Sequence, residues 1–395
     1  MEKKIGKNAK LLMVSDLIYT LTAVFIETFL VAYFLKVTNE NITTISIYYI
    51  IIYSLLSVGI LFMGKFMKKF PHKSTKILSL GIITRALFIL FIVVLSEKIA
   101  SNFIFIAIMY AISEVLYWGA HELIYIDVTT NKNRKNYMSI KKISGKIINI
   151  IAPIILGTSI ELYSFTKIAL YVFILSLVQI TLLIRVDINN LKQEKYNYKN
   201  FMQNIRNNKL TKIQKYNLAG IAYGIVESSI STLIIIITMM TFKTSFSLGF
   251  LTTIFAICSI ISLMLYNKFY NNKTSKLILI LCSAIIILGV LGLLIDINKT
   301  TLIIYNFCYI ITFCIFDVVY NTRKGNLVKE CKIENYKEEY IGYTSISIGS
   351  GRIIGYLLML IVSFTSNLIF FKILLAIVTA FAPIYCYLIY KTEKD

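Results

Sequence analysis

The sequence predicts an all-α polytopic membrane protein, with about twelve transmembrane helices in two pseudo-symmetric six-helix bundles. Three observations predict it. Only 15% of the residues are charged and 57% are hydrophobic, whereas soluble domains carry about 25% charged residues. Apolar runs near 20 residues recur along the whole chain, and each can cross a hydrocarbon core of about 30 Å. The chain is also written twice. Glu114, Tyr117 and Asp127 return as Asp317, Tyr320 and Glu330, each 203 positions later. Tyr19 returns near Tyr223, Lys65-Phe66 returns as Lys268-Phe269, and Ser144-Gly145-Lys146 returns as Ser350-Gly351-Arg352. These matches keep their order. A hydrophobic chain with such a repeat implies a secondary transporter. The alternation of a membrane barrel is absent.

Hydropathy places the first six spans at 11–35, 45–64, 77–96, 102–126, 143–163 and 168–185. The second six lie at 216–240, 248–266, 277–295, 301–322, 344–363 and 369–390. The expected division is an N-terminal half at 1–187, a linker at 188–213 and a C-terminal half at 214–395. The first apolar run follows a basic leader but lacks a cleavage site, so it reads as a retained helix.

The net charge of +21 suggests nucleic acid until its position is considered. Lys and Arg crowd into alternate connections: Lys3 to Lys10, Lys65 to Lys76, and Lys132 to Lys142. The opposite connections hold isolated charges such as Lys36, Lys98, Lys167 and Lys243. This is the positive-inside pattern. It places both termini and the linker in the cytoplasm, in a bacterial inner membrane, and gives no reason to expect a nucleic-acid partner. The linker carries Lys192, Lys195, Lys199, Arg206 and Lys209. Such a segment either rests on anionic headgroups or is a solvated connection. The six Cys residues all fall in the second half, mostly inside apolar runs, with no metal or disulfide spacing.

Charged residues inside the spans cost roughly 2.5–3.5 kcal/mol each on insertion scales, so they usually face a cavity or a partner. They are Asp16 and Glu27 in the first span, Glu114, His121 and Glu122 in the fourth, Glu227 in the seventh and Asp317 in the tenth. Glu114, Tyr117, Trp118 and His121 follow the i, i+3, i+4, i+7 spacing of one helix face. Asp16, Thr20, Ala23 and Glu27 do the same, as do Gly220, Tyr223, Glu227 and Ser231. Acids interleaved with rings suit a cationic or amphipathic ligand. The alternative for the rings, Trp118 included, is packing at the interface. Asp16 lies near a span end, where snorkelling to the headgroups accounts for it. The basic residues inside the spans are few. Arg85 is placed to neutralise Glu27 or Glu114, and Lys146 and Arg352 sit in matching repeat positions.

The two six-span halves, the basic linker and the second connection resemble the Major Facilitator Superfamily over nearly the whole chain. Gly64-Lys65-Phe66-Met67-Lys68-Lys69 keeps the family's glycine and basic cluster but lacks its acid. Asp127, Arg134 and Gly145 resemble the turn between the fourth and fifth helices. Ala152-Pro153-Ile154-Ile155-Leu156-Gly157 resembles a weakened fifth-helix motif of drug–proton antiporters, while the arginine those proteins often carry in the fourth helix is missing. The resemblance implies that the first, fourth, seventh and tenth helices line a central cavity. It makes Glu27, Glu114, Tyr117, Trp118, His121, Glu227, Asp317 and Tyr320 candidates for binding substrate or protons. Arg85 is a charge partner. Asp127, Arg134, Lys146, Glu330 and Arg352 are gate candidates, with headgroup anchoring as the alternative for Lys146 and Arg352.

The expected function is movement of a small molecule by alternating access, with proton-coupled efflux of cationic or amphipathic compounds the form that the fifth-helix resemblance favours. A proton-coupled importer of a sugar, peptide or metabolite is the alternative. An intramembrane lipid-modifying enzyme needs a catalytic His or Asp pair, and only His72 and His121 are present. A sensor on a transporter-like scaffold is the third class. An ATP-driven pump needs a phosphate-binding loop, which the sequence lacks. No enzyme activity, cofactor or metal is expected; the partners are a small-molecule substrate, protons and membrane lipids, with a monomer as the assembly. Glu114 and Asp317 are expected to face one another. Two carboxylates in a closed site do not both ionise cheaply, so one would hold a proton. The alternative is a permanent Glu114–Arg85 pair.

Overall fold

The computed structural model describes residues 6–128, 134–186, 196–207, 210–270, 274–364 and 368–394. Every regular element among them is helical. Among the described residues twelve helices are long and apolar enough to cross a membrane, so the chain is a multi-pass membrane protein of the predicted all-α class. The first six spans are Lys7–Val37, Ile42–Lys69, Ser74–Ile99, Phe103–His121, Ile143–Leu162 and Phe165–Leu183. The second six are Thr211–Phe242, Ser245–Phe269, Ser275–Ile295, Lys299–Glu330, Glu334–Ser363 and Ile369–Thr392. In the absence of water a helix satisfies its own backbone donors and acceptors, which is why apolar runs of this length adopt it. Large apolar side chains such as Phe62, Val94, Leu288 and Ile361 lie exposed on the helices, as a lipid-facing surface requires.

Local signals set the ends. Asn298 starts the tenth span: its side chain accepts from the Thr300 and Thr301 amides at 2.9 and 3.0 Å, and the Thr301 hydroxyl accepts from the Asn298 amide at 3.1 Å. This capping box supplies partners for amides that the first turn cannot pair. Ser164 caps the sixth span by accepting from the Lys167 amide at 3.3 Å. Lys243, in the left-handed region at φ 61°, ends the seventh.

The chain forms two compact units. The first comprises Met1–Glu40, Val58–Tyr196 and Thr244–Thr253. The second comprises Asn41–Ser57, Asn197–Lys243 and Ile254–Asp395. The opening of the second span therefore packs with the second unit, and the opening of the eighth span with the first. In the first unit the third span packs on the fourth and sixth, and the first span on the fifth and sixth. Tyr19, Tyr117, Ile124 and Tyr137 belong to one buried cluster there with Leu12, Met67 and Ile82. In the second unit the seventh span packs on the tenth, eleventh and twelfth, and the ninth on the tenth and twelfth.

One crossing needs two glycines. A Cβ on Gly351 would meet the backbone carbonyl of Ile221, and one on Gly224 the carbonyl of Ile348. The seventh and eleventh spans therefore touch backbone to backbone, the close approach that small residues permit in membranes. The linker carries a short helix, Tyr198–Arg206, capped by Asn197 and anchored through buried Phe201 and Ile205. Phe201 lies 6.0 Å from the rings of both Tyr336 and Tyr343.

Candidate functional site

The first unit builds its site on four spans. Tyr19 of the first span stacks on Tyr117 of the fourth, with centroids 3.9 Å apart and planes 10° apart. The Tyr19 hydroxyl donates to Glu114 Oε2 at 2.6 Å, and Trp118 Nε1 donates to the same oxygen at 3.1 Å. Arg85 of the third span donates to Glu114 Oε1 from Nη1. Its Nε donates to Thr22 Oγ1 at 3.1 Å, and its guanidinium covers the Tyr19 ring at 4.1 Å. Arg85 is 1% exposed and Glu114 7%, so this is an ion pair of the interior. The third span comes close enough because Gly81 leaves no room for a Cβ, which would sit 2.7 Å from the Tyr117 amide nitrogen.

One turn towards the chain's start lies a second charged group. Asp16 is 2% exposed. Its Oδ1 accepts from the Tyr117 hydroxyl at 2.9 Å and from His121 Nε2 at 2.8 Å. Its Oδ2 meets Lys141 Nζ at 2.6 Å and accepts from the Tyr137 hydroxyl at 3.3 Å. This corrects the snorkelling expectation: four partners on the fourth and fifth helices hold the carboxylate inside. Tyr117 bridges the two groups, stacking on Tyr19 while donating to Asp16.

The second unit repeats part of this arrangement. Tyr223 of the seventh span stacks on Tyr320 of the tenth at 4.6 Å and 5°. Its hydroxyl donates to Asp317 Oδ1 at 2.9 Å. The Asn321 amide donates to that oxygen at 2.7 Å. Glu227 accepts two bonds from Arg352, from Nε at 2.6 Å and Nη2 at 2.7 Å, and Arg352 lies 4.7 Å over the Tyr53 ring. A two-point carboxylate–guanidinium pair fixes orientation as well as charge. Asp16 has no counterpart, because Gly220 stands at the matching position and a Cβ there would lie 2.7 Å from the Tyr320 hydroxyl.

Within each unit the structure thus joins Glu114, Tyr117, Trp118 and His121 on one side, and Glu227, Asp317 and Tyr320 on the other. Trp118 is half in contact and 42% exposed. Glu27 departs from the helical spacing. Residues Phe25–Leu30 form a π-helical segment, whose wider turn shifts the register after Val24. Asp16 is buried and Glu27 exposed, yet Glu27 lies within electrostatic reach of Tyr19, Arg85 and Tyr110.

The gate candidates are dispersed. Arg352 is held by Glu227. Glu330 accepts from Arg323 at 2.6 and 2.9 Å and lies 3.5 Å from Lys212. Arg323 also donates to Thr392 Oγ1 at 2.9 Å, tying the tenth span to the twelfth. Arg352 and Glu330 therefore serve different partners inside the second unit. Lys146 is half-buried and makes no ion pair among the described residues. The Asp127 and Arg134 side chains lie outside the described residues, as do Lys132, Lys192, Lys195 and Lys209.

Sequence reasoning passed over Asp16, Lys141, Tyr137 and Asn321 as site residues. Tyr137 and Tyr340 are 203 positions apart, a repeat pair that pointed to the layer where Asp16 sits. Lys141 gives no such signal, since Thr344 stands at the matching position.

The family model described as Major Facilitator Superfamily matches residues 11–356. No curated protein matches the chain by sequence. Solved structures share the fold. A bacterial homologue of the iron transporter ferroportin, in an inward-facing state, gives a TM-score of 0.74 at 12% identity, covering 100% of each chain. A bacterial metal transporter gives 0.63 at 12% identity over 100% of each chain. The nucleoside transporter NupG gives 0.71 at 13% identity, covering 99% of this chain and 100% of that one.

Proposed function

We propose that this chain, which belongs to the Major Facilitator Superfamily, moves a small cationic or amphipathic molecule across the bacterial inner membrane by alternating access, as proton-coupled efflux. The observation that carries this reading is the tyrosine–carboxylate pair built twice, Tyr19 with Glu114 and Tyr223 with Asp317. Each lies at intramembrane depth, beside stacked rings. Acids there are costly to keep, and the surrounding π faces attract cations. The similar structures are those of a homologue of the iron transporter ferroportin, a metal transporter and a nucleoside transporter, and at 12–13% identity they lend the fold without the cargo.

In this reading the first unit is a fixed scaffold, because Arg85 offsets Glu114 and Lys141 offsets Asp16. Exchange of a proton for substrate takes place at an acid whose charge is not already matched. The halves at 1–187 and 214–395 alternate about the linker. Basic connections keep both termini in the cytoplasm, and the monomer is the working unit. The test is a ligand-stabilisation screen on purified protein with organic cations, sugars, peptides, nucleosides and divalent metals. Organic cations raise the melting temperature if the reading holds. Stabilisation confined to the neutral or metal classes removes it.

A further inference from the structure

The cage around Arg85 is rebuilt in the second unit without its guanidinium. In the first unit the Arg85 guanidinium meets the Thr22 hydroxyl at 3.1 Å and three groups that recur: the Glu114 carboxylate, the Tyr19 ring at 4.1 Å and the Tyr110 ring at 5.8 Å. Their repeat counterparts are Asp317, Tyr223 and Phe313. These also come together: Tyr223 donates to Asp317 at 2.9 Å and its ring stacks on Phe313 at 5.5 Å. At the position matching Arg85 in the buried pattern of the ninth span stands Ile286, an apolar side chain that is fully buried. Arg352 is held by both oxygens of Glu227, one turn farther along the seventh span.

Asp317 is half-buried, and its donors are neutral. Tyr223 and Asn321 both bond Oδ1. Oδ2 accepts no hydrogen bond among the described residues, although an ionised carboxylate offers about four acceptor positions. A carboxylate so placed at membrane depth lacks the cation that its counterpart Glu114 has. Along the tenth span Tyr309, Phe313, Asp317 and Asn321 are spaced four apart, so they form one stripe on a helix face. Tyr309 and Phe313 stack at 5.2 Å and give that stripe an apolar wall.

We infer that Asp317 anchors an organic cation bearing N–H donors, a guanidinium or protonated amine, whose apolar body lies along Phe313 and Tyr309. The inference rests on the cationic-substrate reading above and names the group that reads the charge. The N–H requirement follows from Oδ2, which needs a donor. A quaternary ammonium has no N–H and must rely on ring faces, which here are partly covered by one another. A hard metal ion asks for six or more oxygens where one carboxylate is offered.

The experiment measures binding of three matched probes to the detergent-solubilised full chain by calorimetry: benzylguanidinium, benzyltrimethylammonium and benzyl alcohol. The wild type is expected to bind benzylguanidinium at least about tenfold more tightly than the other two. Asp317→Asn is expected to lose about 10- to 100-fold in benzylguanidinium affinity, the worth of a charge-assisted bond, and Asp317→Glu to recover part of it. The wild-type ranking needs no mutant, so a misfolded variant does not remove the test. Equal binding of the two cations by the wild type overturns the N–H assignment. A monodisperse Asp317→Asn protein with wild-type affinity overturns the anchor while leaving the cationic reading intact. A wild type that binds neither cation overturns both.

Discussion

Arg85 and Glu114 form an ion pair in the interior of the first unit, 29 positions apart and on adjacent spans. Neither charge is tolerable there without the other. Removing one partner of a buried pair typically costs about 3–5 kcal/mol, whereas removing both costs much less. Arg85→Gln and Glu114→Gln should each lower the unfolding temperature sharply, and the double variant should recover part of the loss. A double-mutant cycle in thermal unfolding checks this. Strictly additive losses would mean that the two side chains do not stabilise one another.

Asp16 gives a second prediction. Its carboxylate balances Lys141 and accepts from His121, Tyr117 and Tyr137. Asp16→Asn leaves a lysine without its counter-charge and should destabilise by about 2–3 kcal/mol. Lys141→Met in the same background should restore part of it. Tyr137→Phe removes one bond of 3.3 Å and should cost about 1 kcal/mol or less. An Asp16→Asn protein as heat-stable as the wild type contradicts the network.

Much of this was legible in the chain. Lipid forces helical backbone on any apolar run near 20 residues, so the spans could be read from composition. The repeat located Glu114, Asp317, Tyr117 and Tyr320, because equal sequence offsets land on equal helical positions. Arg85 was legible as a charge partner, since few basic residues enter the spans. Three features were not. The π-helical turn at Phe25–Leu30 leaves no mark in hydropathy. Asp16 looked interfacial because depth was judged from its distance to the span end, while its partners come from helices more than 100 positions away. The grouping of Asn41–Ser57 with the second unit is a tertiary choice that local patterns do not encode.

Gly145 and Gly351 each sit in a Ser-Gly-basic motif but meet different surroundings. A Cβ on Gly351 would strike the Ile221 backbone, with its carbonyl carbon at 2.9 Å, whereas Gly145 has nothing within 4 Å. Gly351→Ala should therefore separate the seventh and eleventh spans and cost several kcal/mol, at the upper end of about 1–3 kcal/mol for overpacking or beyond. Gly145→Ala should be neutral or stabilise by about 0.5–1 kcal/mol through helix propensity. Thermal unfolding of the two single variants decides it. Equal effects would show that the two glycines are equally free of close neighbours.

The proposed orientation has its own check. Lys73 lies in a basic connection and Lys243 in a sparse one. On a background without native cysteines, Cys at 243 should react with an impermeant thiol reagent in intact cells and Cys at 73 should not. The reverse pattern would invert the topology.

The central claim is that an organic cation crosses the membrane in exchange for protons. Purified full-length protein in proteoliposomes, given a pH gradient and radiolabelled benzylguanidinium, tests it most directly. The account predicts accumulation on the acidic side, collapse of that accumulation when an ionophore removes the gradient, and loss of it in Asp317→Asn. Uptake that is the same with and without the gradient, or the same in protein-free vesicles, would contradict it.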